Sequence, residues 1–244
     1  MTSEVASVLG SRGKAQRPPV TEALAGWSAR LAYAHPPADD IQYAKQAIAD
    51  TVGVGLAACD DAVVKGILDA FGHETGSCAV WGTSVLTTVR NAALANGAMA
   101  HVFDFDDNNR AMYGHPSAAV LPAVFALADE AAVSGSEIVL AYVVGVEVAC
   151  RLGRAMTYEH GGRGWHTTLT LGSIGAATAV GKLLGVNAST MRNALGIAAS
   201  MAGGLRQNFG TMAKPLHVGL AAQNGVLAAQ LARGGISASP KALE

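Results

Sequence analysis

From Thr21 to Arg233 the chain is a succession of apolar segments at helical spacing, each closed by Pro, Gly or Asn, with no strand period alternating between them. That pattern excludes a βαβ arrangement and points to an all-α class. Thr21 is placed to cap a first helix over 21–34, which stops at His35-Pro36-Pro37. Asp39 and Asp40 open a second over 40–58, and a third covers 62–74. Further helices read over 89–103, 116–131, 136–157, 168–184, 188–202 and 215–233. Only Cys78–Thr88, β-branched with a Gly-Thr-Ser turn, reads as extended or irregular chain. Residues 1–18 carry no apolar h-region and read as a flexible tail before one helical domain over 19–244.

Half the residues are hydrophobic but only 5% are aromatic, and 29 are Gly, so these helices must pack through small side chains. Gly172, Gly175, Ala176, Ala177, Ala179 and Gly181 fall within one of them. Each helical Gly costs about 0.5–1 kcal/mol relative to Ala, which close backbone approach has to offset. A mean hydropathy of +0.29 raises the question of a bilayer. The apolar runs answer it: Ile138–Cys150 is broken by Glu147, and Leu216–Leu231 by His217, Gln223, Asn224 and Gln230. A span needs about 20 apolar residues, so no membrane is expected and the location read is cytoplasmic. Cys59, Cys78 and Cys150 are distant from one another and form neither a disulfide framework nor a zinc spacing.

The charge distribution bears on the ligand. Residues 1–159 hold 17 acidic and 10 basic side chains, whereas 160–243 hold no acid and seven bases. Seven charges over 84 largely apolar residues, without interleaved aromatics, are too sparse for nucleic acid and suit a small anion better.

Three stretches carry candidate chemistry. In His101-Val102-Phe103-Asp104-Phe105-Asp106-Asp107-Asn108, three carboxylates lie within four residues. Any that is buried should titrate high and serve as an acid or base, and Asp104 and Asp107 share a face if the helix continues. A terpene-cyclase reading of this Asp-rich run fails for want of aromatics, and a metal reading lacks a closed His/Cys spacing. The second stretch is Gly164-Trp165-His166, and the third runs from Asn208 through Lys214-Pro215 to His217. Pro116 and Pro215 each read as the first residue of a helix, which puts His115 and Lys214 at the caps, and His166 stands at a third helix start. Helix N-termini already carry partial positive charge, so three cationic groups there imply an anionic ligand between them.

HVFDFDDNNRAMYGHPSAAVLPA, GWHTTLTLGSIGAATAVGKLLG and GGLRQNFGTMAKPLHVGLAAQNGVLAA resemble the signature stretches of the MmgE/PrpD family. That family includes 2-methylcitrate dehydratase, cis-aconitate decarboxylase and an iminodisuccinate epimerase. The resemblance implies a large helical domain, here without the α+β lid that follows it, and a site using neither metal nor cofactor. It also implies a homodimer. It assigns catalytic positions to Asp104, His115, His166 and Lys214, and Asn108 stands where some members have Thr. With Arg206 and His217, Asn108 completes the candidate substrate-binding set. Elimination of water from a tricarboxylate such as 2-methylcitrate is the first reaction expected, with decarboxylation or epimerisation as alternatives. The reading from another class is a non-catalytic helical module, or half of a split enzyme needing a separate lid.

Overall fold

A computed structural model describes residues 19–71 and 74–244. The tail expected over 1–18 lies outside the described residues. The helices are α1 (Val20–Arg30), α2 (Ala38–Ala57), α3 (Ala62–Phe71), α4 (Val89–His101), α5 (Pro116–Ala128), α6 (Gly135–Met156), α7 (Glu159–Gly162), α8 (Thr167–Leu183), α9 (Ala188–Ser200) and α10 (Ala213–Arg233). The segment read as extended is a minimal hairpin: β1 (Cys78–Ala79) pairs antiparallel with β2 (Leu86–Thr87). The class is therefore all-α, as the periodicity predicts.

α8 and α10 form the centre, with α4 and α5 packed on one side, α6 against α8, and α9 closing the group beside α1. Small residues make this possible. A Cβ added at Gly97 of α4 would lie 2.9 Å from the Cα of Gly219 on α10. One added at Gly145 of α6 would lie 2.6 Å from the carbonyl oxygen of Gly175 on α8. Both distances are below any real carbon contact, so the helices touch backbone to backbone and the glycines are packing residues. Every residue of α8 from Thr167 to Gly181 is buried, which fixes the start of that helix, and His166 with it, against the core.

Two helix starts differ from the sequence reading. Thr21 does not cap α1, whose N-cap is Pro19. Thr21 is instead buried, its hydroxyl donating to Glu244 Oε2 at 2.6 Å and its N–H to Oε1 at 3.2 Å. A carboxylate from the last residue thus satisfies an orphan donor of the first helix. α10 begins at Ala213 with Met212 as N-cap, so Lys214 is the second helical residue and Pro215 the third. Proline is tolerated there because first-turn N–H groups lack helical acceptors in any case. Thr211 Oγ1 extends the start by accepting from the Ala213 N–H at 3.2 Å. Cys59, Cys78 and Cys150 are free thiols, the last two buried. Among the described residues, no helix is long and apolar enough to cross a membrane.

Candidate active site

The site is built where α4 ends and α5, α8 and α10 begin. α4 stops at His101, so the three acids that follow lie in a loop and not on a helix face. Asp104 takes a positive φ of 51°, which turns the chain and separates the acids in space. They then take three different roles, and the expectation of a shared Asp104–Asp107 face fails.

Asp107 turns away from the other two. It accepts from the Ser117 N–H at 3.2 Å and from the Ser117 hydroxyl at 2.6 Å, and Tyr142 Oη lies 2.6 Å from the same hydroxyl. It thereby caps α5 from outside, a structural task. Burial raises its pKa, and the Ser117 bonds only partly oppose this.

Asp106 is buried and reverses the expected shift. Its Oδ1 lies 2.8 Å from His101 Nδ1, and its Oδ2 lies 3.2 Å from His115 Nδ1. Burial alone would raise the pKa, yet these two imidazoles outweigh it and hold the carboxyl at about 2. Asp104 is half exposed and sits on the outer edges of the same two rings, its Oδ1 3.6 Å from Nε2 of His101 and of His115. Its Oδ2 pairs with Lys214 Nζ at 2.5 Å. Lys214 and the imidazoles outweigh its partial burial and lower its pKa.

His115 and His166 are the N-caps of α5 and α8, and neither uses its side chain to cap. Burial pushes His115 down, but Asp106 and then Asp104 more than reverse this, so its pKa is raised. Among the described residues, His166 has no acid beside it. Burial, followed by His217, His101, Lys214 and His115, lowers its pKa to about 3. It is therefore a neutral ring at physiological pH, with Nδ1 3.1 Å from Nδ1 of His217. One of these two nitrogens donates and the other accepts.

A cavity of about 330 Å³ opens between these groups. Its lining includes Asp104, Asn108, His115, His166, Arg206 and Lys214. Arg206 arrives there because Trp165 and Leu205 form an antiparallel bridge, with the His166 N–H on Gly204 O and the Arg206 N–H on Gly164 O, both at 2.9 Å. Its guanidinium donates to Gly161 O at 3.0 Å. A larger groove of about 560 Å³ lies beyond Asp107, but Asp40, Asp107 and Glu147 line it and His35 is its one basic group, so an anion is disfavoured there.

A model of the MmgE/PrpD N-terminal domain matches residues 22–244. This chain belongs to the MmgE/PrpD family. A cis-aconitate decarboxylase of Aspergillus terreus is 33% identical over 236 residues, covering 92% of this chain and 48% of that relative. Human cis-aconitate decarboxylase is 35% identical over 212 residues, 84% of this chain and 44% of the relative. The mouse protein of the same name is 34% identical over 237 residues, 92% and 48%. The chain spans about half the length of the curated relatives it matches.

Of the candidate site positions expected from the sequence, the structure brings Asp104, Asn108, His115, His166, Arg206 and Lys214 to one cavity. His217 is not in its lining; it is buried behind His166 and touches the cavity only through that ring. The cationic block does not form one patch. Lys182, for example, donates to Ala29 O and Leu31 O at the end of α1, and only Arg206 and Lys214 of the seven bases reach the cavity. Nor is Lys214 without an acid, since Asp104 comes to it from the other half of the chain. His101 and Asp106 fall in the first candidate stretch, Asp106 as one of three carboxylates expected to act as acid or base, but neither is among the residues assigned individually. Their signal was a histidine and an acid five apart at the end of an apolar helix. His101, Asp104, Asp106 and His115 each offer one donor atom within 4.8 Å of the others, a spacing that also serves cations. His101 Nδ1 pairs with Asp106 Oδ1 and Lys214 with Asp104, while the buried His101 Nε2, Asp106 Oδ2 and His115 Nδ1 make no full hydrogen bond among the described residues.

Proposed function

We propose that this domain carries the anion-binding and proton-transferring groups of a lyase acting on a small polycarboxylate. The observation that carries the reading is one cavity holding an imidazole biased toward its protonated form, a neutral imidazole, an ammonium and a guanidinium, with two helix N-termini behind them. Carboxylates are recognised by such groups: guanidinium in forked geometry, ammonium as a point charge, and free N–H donors of helix starts.

The names of the relatives favour decarboxylation of cis-aconitate over the dehydration first expected. In that reaction the bond between a carbon and its carboxylate breaks, CO₂ departs, and the electron pair stays on the carbon skeleton. Lys214, Arg206 and the α5 and α8 N-termini stabilise the negative charge as it moves from the departing carboxylate onto the carbon skeleton. The proton on His115 then forms the new C–H bond, leaving the ring neutral and to be reprotonated from solvent. Neutral His166 donates or accepts a hydrogen bond without adding charge, and Asn108 supplies an amide to a substrate oxygen. Tyr113, Tyr158, Trp165 and Phe209 line the cavity and are exposed, with Tyr158 at 71%. Such an aromatic rim supports an α+β lid closing over the mouth. Homodimer assembly and a cytoplasmic location belong to the same proposal, and sedimentation and cell fractionation test them.

The deciding experiment offers cis-aconitate, 2-methylcitrate, citrate and iminodisuccinate separately, following CO₂ release, ultraviolet absorbance and product stereochemistry. CO₂ from cis-aconitate is the expected result. Water loss from 2-methylcitrate without CO₂ release would restore dehydration, and turnover of none would refute the lyase reading for this chain.

A further inference from the structure

Asp106 is a buried carboxylate that is absent from the cavity lining, so it has no part as a reactant. It nevertheless sits against two imidazoles, one of which, His115, does line the cavity. We infer that Asp106 is a positioning residue for His115: its carboxylate holds the proton on Nδ1, so that Nε2, on the Asp104 side, is the nitrogen that gives up and recovers the proton, while His101 holds Asp106 from behind.

The argument is one of lone pairs. An ionised carboxylate only accepts hydrogen bonds. If neutral His115 carried its proton on Nε2, the bare Nδ1 would face Asp106 Oδ2 across 3.2 Å, two buried acceptors in contact with no other hydrogen-bond partner for either among the described residues. With the proton on Nδ1 that contact is an N–H facing a carboxylate oxygen, attractive even though its angle falls short of a full hydrogen bond. The opposite edge of the ring faces Asp104, which lines the cavity, so Nε2 is the nitrogen in position to exchange a proton with a bound substrate. His101 Nδ1, at 2.8 Å from Asp106 Oδ1, comes from the last residue of α4, a helix buried along nearly its whole length, so the carboxylate has a rigid anchor. The charged and titratable groups around His115 are Asp104, Asp106 and Asp107 from the loop, His101 from α4, His166 from the α8 start and Lys214 from α10. Of these only Asp106 meets Nδ1. A carboxylate that orients a histidine from behind its reactive edge is a recurrent device of proton-transfer sites.

The role in turnover rests on the lyase reading, but the nitrogen assignment does not. Long-range ¹H–¹⁵N correlation of ¹⁵N-histidine-labelled protein, with His115→Gln to assign the ring, reports which nitrogen deprotonates as pH is raised. In the wild type His115 should lose the Nε2 proton and keep Nδ1–H. In Asp106→Asn the anionic acceptor that favours Nδ1–H is gone, and the neutral ring should populate the Nε2–H form more than in the wild type. Where turnover is measured, that variant should lose about 10- to 100-fold in kcat with KM little changed. A wild-type His115 whose neutral form carries Nε2–H would overturn the inference, and this measurement stands even if Asp106→Asn does not fold. A tautomer ratio unchanged from the wild type in a folded Asp106→Asn would overturn it equally. Absence of turnover with any polycarboxylate would remove the lyase reading and leave the assignment to the spectra.

Discussion

Lys214 Nζ, on the first turn of α10, lies 2.5 Å from Asp104 Oδ2 in the loop after α4, 110 residues earlier. The pair ties the cationic last third of the chain to the acidic first part at the cavity itself. An anionic substrate must therefore share Lys214 with Asp104, and the carboxylate both positions the ammonium and competes with the ligand.

Removing that competition gives the first prediction. Asp104→Asn deletes one negative charge from the cavity while keeping its shape. Because Asp104 is half exposed and solvent screens it, the gain in tricarboxylate affinity should be modest, about 1 kcal/mol or roughly fivefold. Turnover should fall at the same time, since Asp104 also faces the Nε2 edges of His101 and His115. Steady-state kinetics would show KM and kcat decreasing together. An increase in KM would contradict this.

The pH dependence of turnover follows from His115. In the proposed reaction His115 is the proton donor and must be protonated, and its pKa is raised above the ordinary 6.5. Activity is then fully present below that raised value and falls as pH rises through it. His166, at about 3, and Asp106, at about 2, do not change state near neutrality and add no limb there. A pH–kcat profile with one descending limb above pH 6.5 is expected, and a rate that increases with pH through the same range would contradict it.

Stability should have a maximum near neutrality for related reasons. His166 is held neutral in the folded state down to about pH 3 but takes up a proton near 6.5 when unfolded, so stability is lost as pH falls from about 6.5 toward 3. Lowered His217 adds to that slope. His115 acts in the opposite window: its contribution is complete below 6.5 and is lost as pH rises through its raised pKa. Urea midpoints measured from pH 4.5 to 9 should pass through a maximum, and His166→Asn should flatten the acid side.

Asp107 separates structure from chemistry within the acidic triplet. Asp107→Ala removes the external cap of α5 and leaves the Ser117 N–H without its acceptor, while the Ser117 hydroxyl keeps Tyr142 Oη, at a cost of about 1–3 kcal/mol. Turnover per folded molecule should change little, because Asp107 does not line the cavity. Thermal melts beside active-site-normalised rates would check both parts.

How far the sequence could be read depended on how local each cause is. His115 and His166 as helix caps were legible because a Pro after one and a Gly-rich loop before the other act over a few residues. The Lys214 cap was misplaced by two positions because Pro215 is tolerated anywhere in a first turn, and Thr211, three residues before Lys214, extended the start. Thr21 looked like a cap, yet its partner Glu244 lies at the far end of the chain. The pairing of Asp104 with Lys214, and of His217 with His166, depends on how α4, α8 and α10 pack through Gly97, Gly219 and their neighbours. The pKa of Asp106 was read in the wrong direction because burial was visible as a tendency while the two imidazoles that reverse it were not.

The central claim, that this cavity binds a small polycarboxylate through Lys214, is tested most directly by calorimetric titration of cis-aconitate into the wild type and Lys214→Ala. Lys214 and half-exposed Asp104 form a pair worth no more than about 1 kcal/mol to folding, so the variant should remain folded. Loss of a charge-assisted contact of about 1.5–3 kcal/mol should weaken binding about tenfold or more. Equal affinities in two folded proteins would contradict the account.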